Sequence, residues 1–339
     1  MTFAARLDGS PVNVEVLTEV LRAGSVEFPY VDMDEVRVED WTVLMRGPGR
    51  DLALTQLGRG RDRFLQDLRA ARLPARRAAM LQSGAAAMID AYEAKRGDEP
   101  VLVGLHSDGV TVESDAGVPT YLPLSCITAV ERDGYTITIR ARGMDPVVVR
   151  QMGTRTDEFL ADLERARAEL SEKTHAAYAE LDPALGSLGA PDGWAVTSAE
   201  AGALWGPLRA AFGAQDRAAE IEVLAALAGE KLRLGLKASF GGATMPFALV
   251  PAAGRVAVEG AGPEARATFV FEAADVDRLN LVLLLTSFRR EALYLPEGEL
   301  GRWSVAVRML EEVRWARAAL RARIVHDAGW EEQVRRALS

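Results

Sequence analysis

The chain has 339 residues, of which 49% are hydrophobic and 26% charged, and its formal net charge at pH 7 is −9. This balance excludes a disordered chain, and the length calls for two or three cores rather than one. The negative charge opposes a general affinity for nucleic acid or anionic membrane, and the single cysteine, Cys126, excludes an intrachain disulfide or a cysteine-built metal site.

The N-terminus, Met1-Thr2-Phe3-Ala4-Ala5-Arg6-Leu7-Asp8, lacks the basic-then-apolar pattern of a secretory leader, so a cytoplasmic protein is expected. Short alternating segments follow. Val12 to Val16 and the aromatic-headed run Trp41 to Met45 read as strands, and Gly47-Pro48-Gly49-Arg50-Asp51 turns the chain into Leu52-Ala53-Leu54. The period then changes. Phe64, Leu65, Leu68 and Ala71 fall on one helical face, with Asp62 in the first turn where a carboxylate suits the helix dipole. Ala75 to Lys95, with Leu81, Ala85, Met88 and Tyr92 at helical spacing, predicts an extension of that helix up to Gly97-Asp98-Glu99-Pro100.

The same order then recurs. Val101 to Leu105, a Ser107-Asp108-Gly109 turn and Val110 to Val112 form an expected hairpin. Phe28-Pro29-Tyr30 lines up with Leu122-Pro123-Leu124, 94 residues further on, and Trp41-Thr42-Val43 with Tyr135-Thr136-Ile137. After a one-residue insertion, Phe64-Leu65 and Asp67-Leu68 match Phe159-Leu160 and Asp162-Leu163, and Ala71-Arg72 matches Ala166-Arg167. Apolar spacing, turn residues and a terminal helix are all kept, so a folding unit is duplicated. Phe64 and Phe159 should therefore have like surroundings.

The Pro29 and Pro123 segments, the Trp41 and Tyr135 strands and the Phe-Leu-x-x-Leu helices together resemble the bacterial pleckstrin-homology-like (PH-like) superfold over residues 1–75 and 96–170. The resemblance implies tandem PH-like units, each a bent antiparallel sheet or partly open barrel capped by a C-terminal helix. It also implies binding platforms for proteins, peptides or lipid head groups rather than catalysts. The lipid-binding members carry a Lys/Arg-rich first hairpin. Here Val12 to Val26 offers only Arg22, and Val101 to Val118 offers neither residue, which argues against phosphoinositide.

Leu181 to Gly193 is rich in Gly and Pro and reads as a linker. Beyond it the pattern predicts a helix from Ser198 to Phe212 with Ser198 as its cap, and strands at 232–240, 247–250, 255–259 and 267–271. Helices are expected at 275–290 and 303–325. Leu281 to Leu285, far short of the ~20 residues that cross a bilayer, is expected to be a core helix. The fold class is accordingly α+β, divided as 1–95, 96–180 and a C-terminal α+β domain at 194–339. Strands followed by a helix leave room for a diverged third copy in that last domain, without any residue-level match.

No nucleophile elbow, P-loop or zinc-protease motif occurs, so no catalytic, cofactor or metal residue is assigned. His106, His175 and His326 lie in separate segments without a second ligand at metal spacing. Gly58-x-Gly60 before a helix is expected to be a structural turn. Arg59 to Arg77 holds seven arginines against Asp62 and Asp67, which nominates Arg69, Arg72, Arg76 and Arg77 as anion or partner contacts, although a solvated helix face is the plainer reading. Trp303, Trp315 and Trp330 are the tryptophans considered for a partner surface. The expected role is non-catalytic binding or scaffolding on a protein partner or on a second copy. The alternatives are a small-ligand binder or enzyme with its pocket in 195–339, or recruitment to an anionic surface through Arg59–Arg77.

Overall fold

The computed structural model describes residues 1–33, 35–47, 50–82, 88–114, 119–238, 243–261, 267–296, 299 and 310–339. The architecture is α+β, built on three antiparallel sheets. The first unit runs β1 (Thr2–Leu7), β2 (Ser10–Val16), β3 (Val20–Ala23), β4 (Val26–Pro29), β5 (Glu35–Glu39), β6 (Thr42–Gly47) and β7 (Arg50–Thr55), then helix α1 (Arg61–Gln82). Its sheet order is β4-β3-β2-β1-β7-β6-β5. β1 pairs with β2 along its whole length but with β7 only through Arg6 and Leu7, so a four-stranded meander and a three-stranded one meet at a narrow join.

The second unit repeats this plan with β8 (Met88–Arg96), β9 (Glu99–His106), β10 (Gly109–Ser114), β11 (Thr120–Pro123), β12 (Ile127–Asp133), β13 (Thr136–Ala141), β14 (Val147–Arg150) and helix α2 (Thr156–Leu181). Its order is β11-β10-β9-β8-β14-β13-β12, and β8 joins β14 only at Lys95 and Arg150. Details recur as well. A 3-10 turn follows Pro29 and Pro123 alike, and Gln56/Gly58 and Gln151/Gly153 all take positive φ where strand gives way to helix. A Cβ at Gly58 or Gly153 would meet nothing, so glycine serves there for its left-handed backbone. Phe64 and Phe159 are both fully buried under their sheets. Phe64 stands edge-on to Phe3 of β1 at 5.3 Å, and Phe159 edge-on to Tyr92 of β8 at 5.1 Å. Each ring contributes burial worth about 2–3 kcal/mol and an aromatic contact of about 1 kcal/mol.

Tyr92 lies on a strand, which corrects the helix expected to run on to Lys95. Helical i, i+4 spacing also fits a strand face, since Met88 and Tyr92 are two strand periods apart. Pairing with β9 settles the matter and places Tyr92 and Ala94 inward. Residue 95 therefore falls inside a strand of the second sheet.

The C-terminal unit contains α3 (Pro183–Ser187), β15 (Val196–Thr197), α4 (Ser198–Ala201), α5 (Trp205–Gly213), α6 (Ala218–Ala228), β16 (Arg233–Lys237), β17 (Met245–Ala252), β18 (Arg255–Gly260) and β19 (Ala267–Phe271). It continues with α7 (Val276–Leu285), α8 (Glu291–Tyr294), α9 (Glu311–Ala319), β20 (Leu320–Val325) and α10 (Trp330–Leu338). The strands run in sequence order, β15 to β20, as a plain meander. That order differs from the other two sheets, so this unit is not a third copy. The predicted strands 247–250, 255–259 and 267–271 are present as β17 to β19, and that at 232–240 as the shorter β16, residues 239 and 240 lying outside the described ones. The 303–325 helix is corrected: residues 301–309 lie outside the described ones, and Leu320 to Val325 is an edge strand with Arg321 and Arg323 outward and Ile324 inward. Thr197, not Ser198, caps α4 through a capping box with Glu200.

Both faces of this sheet are covered. Ala248, Val250, Ala257 and Val270 pack under α5, α6 and α10, while Phe247, Leu249, Val258, Phe269 and Phe271 face α7 and α9. Leu281 to Leu285 are all buried, as expected of a helix apolar all round. That helix lies between the third sheet and the second unit, and one continuous core spans both units. The first unit keeps a core of its own.

The expected linker 181–193 is a packed segment. Leu185 is fully buried, and Tyr178 of α2 donates its hydroxyl to Asp192 at 2.9 Å. Asp192 also accepts from Ala238 N at 2.8 Å and Lys237 Nζ at 2.5 Å. Asn280 of α7 accepts from Ala195 N at 2.8 Å and donates to the Gly193 carbonyl at 2.6 Å. Gly193 has φ +67°, and a Cβ there would strike Leu284.

Candidate functional site

The nominated arginines separate. Arg72 is 2% exposed, and its Nη2 donates to the Met33 carbonyl at 3.1 Å, so it is a structural residue and not a surface contact. Arg69 is half-buried on α1. The side chains of Arg76 and Arg77 lie outside the described residues. Of the nominated tryptophans, the two that fall among the described residues, Trp315 and Trp330, form no shared surface. Trp330 is buried beneath the third sheet, Trp315 is half-buried with Arg278 stacked on it at 4.7 Å, and Trp303 lies outside the described residues.

What stands out at the surface is a different aromatic pair. Trp41 and Tyr135 occupy the same hairpin tip in the two units, β5–β6 and β12–β13, and are 74% and 70% exposed. Each tip lies beside the start of its unit's helix. Arg61, the first residue of α1, stacks over Trp41 at 5.2 Å, and Arg132 pairs with Asp157 in the first turn of α2. The repeat alignment shows that both are aromatic, but strand periodicity alone does not show that they face water.

Between the second and C-terminal units lies a cleft of about 540 Å³, with Arg142 and Gly143 on one wall and Trp194, Glu200, Arg233 and Asp277 on the other. Arg233 pairs with Asp277, and the Glu200 carboxylate accepts from Thr197 N at 2.8 Å and Thr197 Oγ1 at 2.9 Å. These bonds, the backbone one first, hold the Glu200 carboxyl below its ordinary range, with help from Arg233 and Arg142. A second cleft of about 420 Å³ shares Arg233 and is also lined by Lys231 and Arg255.

Three buried or clustered polar groups serve structure. Thr268, fully buried, donates to Glu259 Oε2 at 2.5 Å and accepts from Trp330 Nε1 at 2.7 Å, while His326 Nε2 lies 3.1 Å from the same carboxylate. No local signal could have joined His326 to Glu259, since 67 residues separate them. Asp90, Glu158 and Asp162 come close enough to suggest a cation. Arg155 already occupies that place, bonding Asp90 at 2.5 Å and Glu158 at 2.8 Å while covering the Tyr92 ring at 4.4 Å. His106 is a buried strand-end residue whose Nε2 lies 3.2 Å from Thr111 Oγ1. Cys126 is 1% exposed, and burial pushes its thiol up to about 12, which suits an inert side chain.

No protein-family model and no curated protein matches the chain. Among the described residues no helix is long and apolar enough to cross a membrane.

Proposed function

We propose that the protein is a cytoplasmic, non-catalytic binding or scaffolding protein whose tandem PH-like units engage a protein partner or a second copy of the chain. The observation that carries this reading is the pair Trp41 and Tyr135, one exposed aromatic at the same hairpin tip of each unit beside a helix start and an arginine. Tryptophan, tyrosine and arginine are enriched among the few residues that carry most of the binding energy in protein interfaces. The seven-stranded order with a closing helix supports the PH-like reading, because it leaves the hairpin tips free while the helix covers the apolar end of the sheet.

The test is the mass of the full chain in solution by light scattering, together with the stoichiometry of anything that co-purifies from its host. The expected result is a discrete complex or homodimer that is lost in a Trp41→Ala/Tyr135→Ala double variant with unchanged melting. A chain that stays monomeric and alone, or one whose complexes ignore both substitutions, contradicts the reading. Recruitment to an anionic surface is the second reading. It has lost Arg72 to the core, and salt-sensitive vesicle binding abolished by reversing Arg69, Arg76 and Arg77 would restore it.

A further inference from the structure

The cleft between the second and C-terminal units has fixed walls. The Arg142 amide donates to the Cys126 carbonyl at 3.0 Å, the Cα of Gly143 sits so close to Asp277 that a Cβ would lie 3.0 Å from its carbonyl oxygen, and Trp194 is buried. Asn280 and the Asp192 bonds hold the segment that carries Trp194 in place. Such a cleft, at a junction of units and several hundred Å³ in volume, is where small ligands are ordinarily held.

Its charges are unequally committed. Arg233 belongs to Asp277, and Glu200 belongs to the capping box of Thr197. Arg142 is exposed, lies over the Trp194 ring at 5.6 Å, and forms no salt bridge among the described residues, although its charge is felt by Glu200 across the cleft. This contrasts with most arginines of the second unit: Arg132, Arg140, Arg150, Arg155, Arg165 and Arg167 carry ion pairs, and Arg96 donates to Thr120 Oγ1 at 3.2 Å. A guanidinium laid on an aromatic face keeps its in-plane N–H groups free for a two-toothed bond to a carboxylate or phosphate, and the stacking removes part of the entropy such a bond would cost. Past Arg233 the adjoining cleft is lined by Lys231 and Arg255, with Glu230 as its one carboxylate.

We propose that this cleft is a binding site for a small organic oxyanion, a carboxylate or a phosphate ester, with Arg142 as the residue that grips the anionic group. The site is independent of the hairpin aromatics and stands whether or not they hold a partner. The Gly143 wall comes from the β13–β14 turn, so ligand binding would also tighten the junction between the two units.

The test is calorimetric and tryptophan-fluorescence titration of the full chain at low ionic strength with two probes, glutarate and glycerol phosphate. Saturable binding of at least one probe is expected, and the one that binds more tightly assigns the ligand class. Arg142→Gln should weaken it by about tenfold or more, as expected for loss of charge-assisted hydrogen bonds. Arg278→Gln, which removes the stacked arginine over Trp315 outside the cleft, should leave it unchanged. Absence of saturable binding by both probes, equal binding by Arg142→Gln, or an equal loss in Arg278→Gln would each overturn the proposal. Melting curves of both variants confirm that the fold is intact.

Discussion

Arg72 of the first helix donates to the Met33 carbonyl at 3.1 Å, and Arg167 of the second helix donates to the Ile127 carbonyl at 3.3 Å. Met33 and Ile127 each end the 3-10 turn that follows the unit's proline. One hydrogen bond therefore ties the closing helix to the same corner of the sheet in both units, which explains why this arginine survives while the residues matching Arg59, Arg61 and Arg63 became Thr154, Thr156 and Glu158. Replacing either arginine by alanine leaves a buried carbonyl without that donor, at a cost of about 1–3 kcal/mol. Chemical denaturation of Arg72→Ala and Arg167→Ala should show losses in this range, and vesicle binding, if any, should not change with Arg72.

Phe64 and Phe159 fill equivalent sites, yet their removal should have unequal reach. The first unit has its own core, whereas the second shares one with the C-terminal unit. Either phenylalanine-to-alanine change should cost about 3–5 kcal/mol. In calorimetry Phe64→Ala should lower a single transition, that of the first unit, and Phe159→Ala should shift the transition of everything after it. A common shift in both variants would show that the three units melt together.

Asp192 gathers Tyr178, Lys237 and the Ala238 amide. Burial, then Asp192 itself, raises the Tyr178 phenol well above its ordinary value, so this phenol stays a donor. Asp192→Ala should cost about 3–5 kcal/mol, because it strands a buried amide and a partly buried ammonium at once, while the Tyr178 hydroxyl keeps only the Leu236 carbonyl at 2.8 Å. Limited proteolysis is the direct readout: cleavage should appear between residues 181 and 193 in the variant and not in the parent.

Cys126 should be silent toward a thiol-disulfide reagent at pH 8 in the native chain and react fully in denaturant. Burial raises its thiol from 9.0 to about 12, so the stabilisation it contributes is complete below pH 9 and is lost as pH climbs toward 12. Cys126→Ala should therefore lose less stability than the parent across that alkaline window. Rapid labelling of the folded chain at pH 8 would contradict the burial on which this rests.

Much of the architecture was legible in the chain. Period-two runs and the Phe-Leu-x-x-Leu faces are local signals, and their recurrence with shared turn residues marked two copies without any structure. Failures arose where a local pattern fits two answers. Met88 and Tyr92 suit a helix or a strand face, and Leu320 to Val325 continues the apolar spacing of the helix before it until pairing with β19 decides.

The duplicated unit, the helix that closes each copy and the apolar character of Leu281–Leu285 follow from the sequence alone, because backbone preference and side-chain period act over a few neighbouring residues. Which arginine is buried, which aromatic faces water, and how Arg142 comes to lie over Trp194 were decided only when distant segments met. Burial and charge pairing depend on neighbours in space, and the 51 residues between Arg142 and Trp194 carry no record of that meeting.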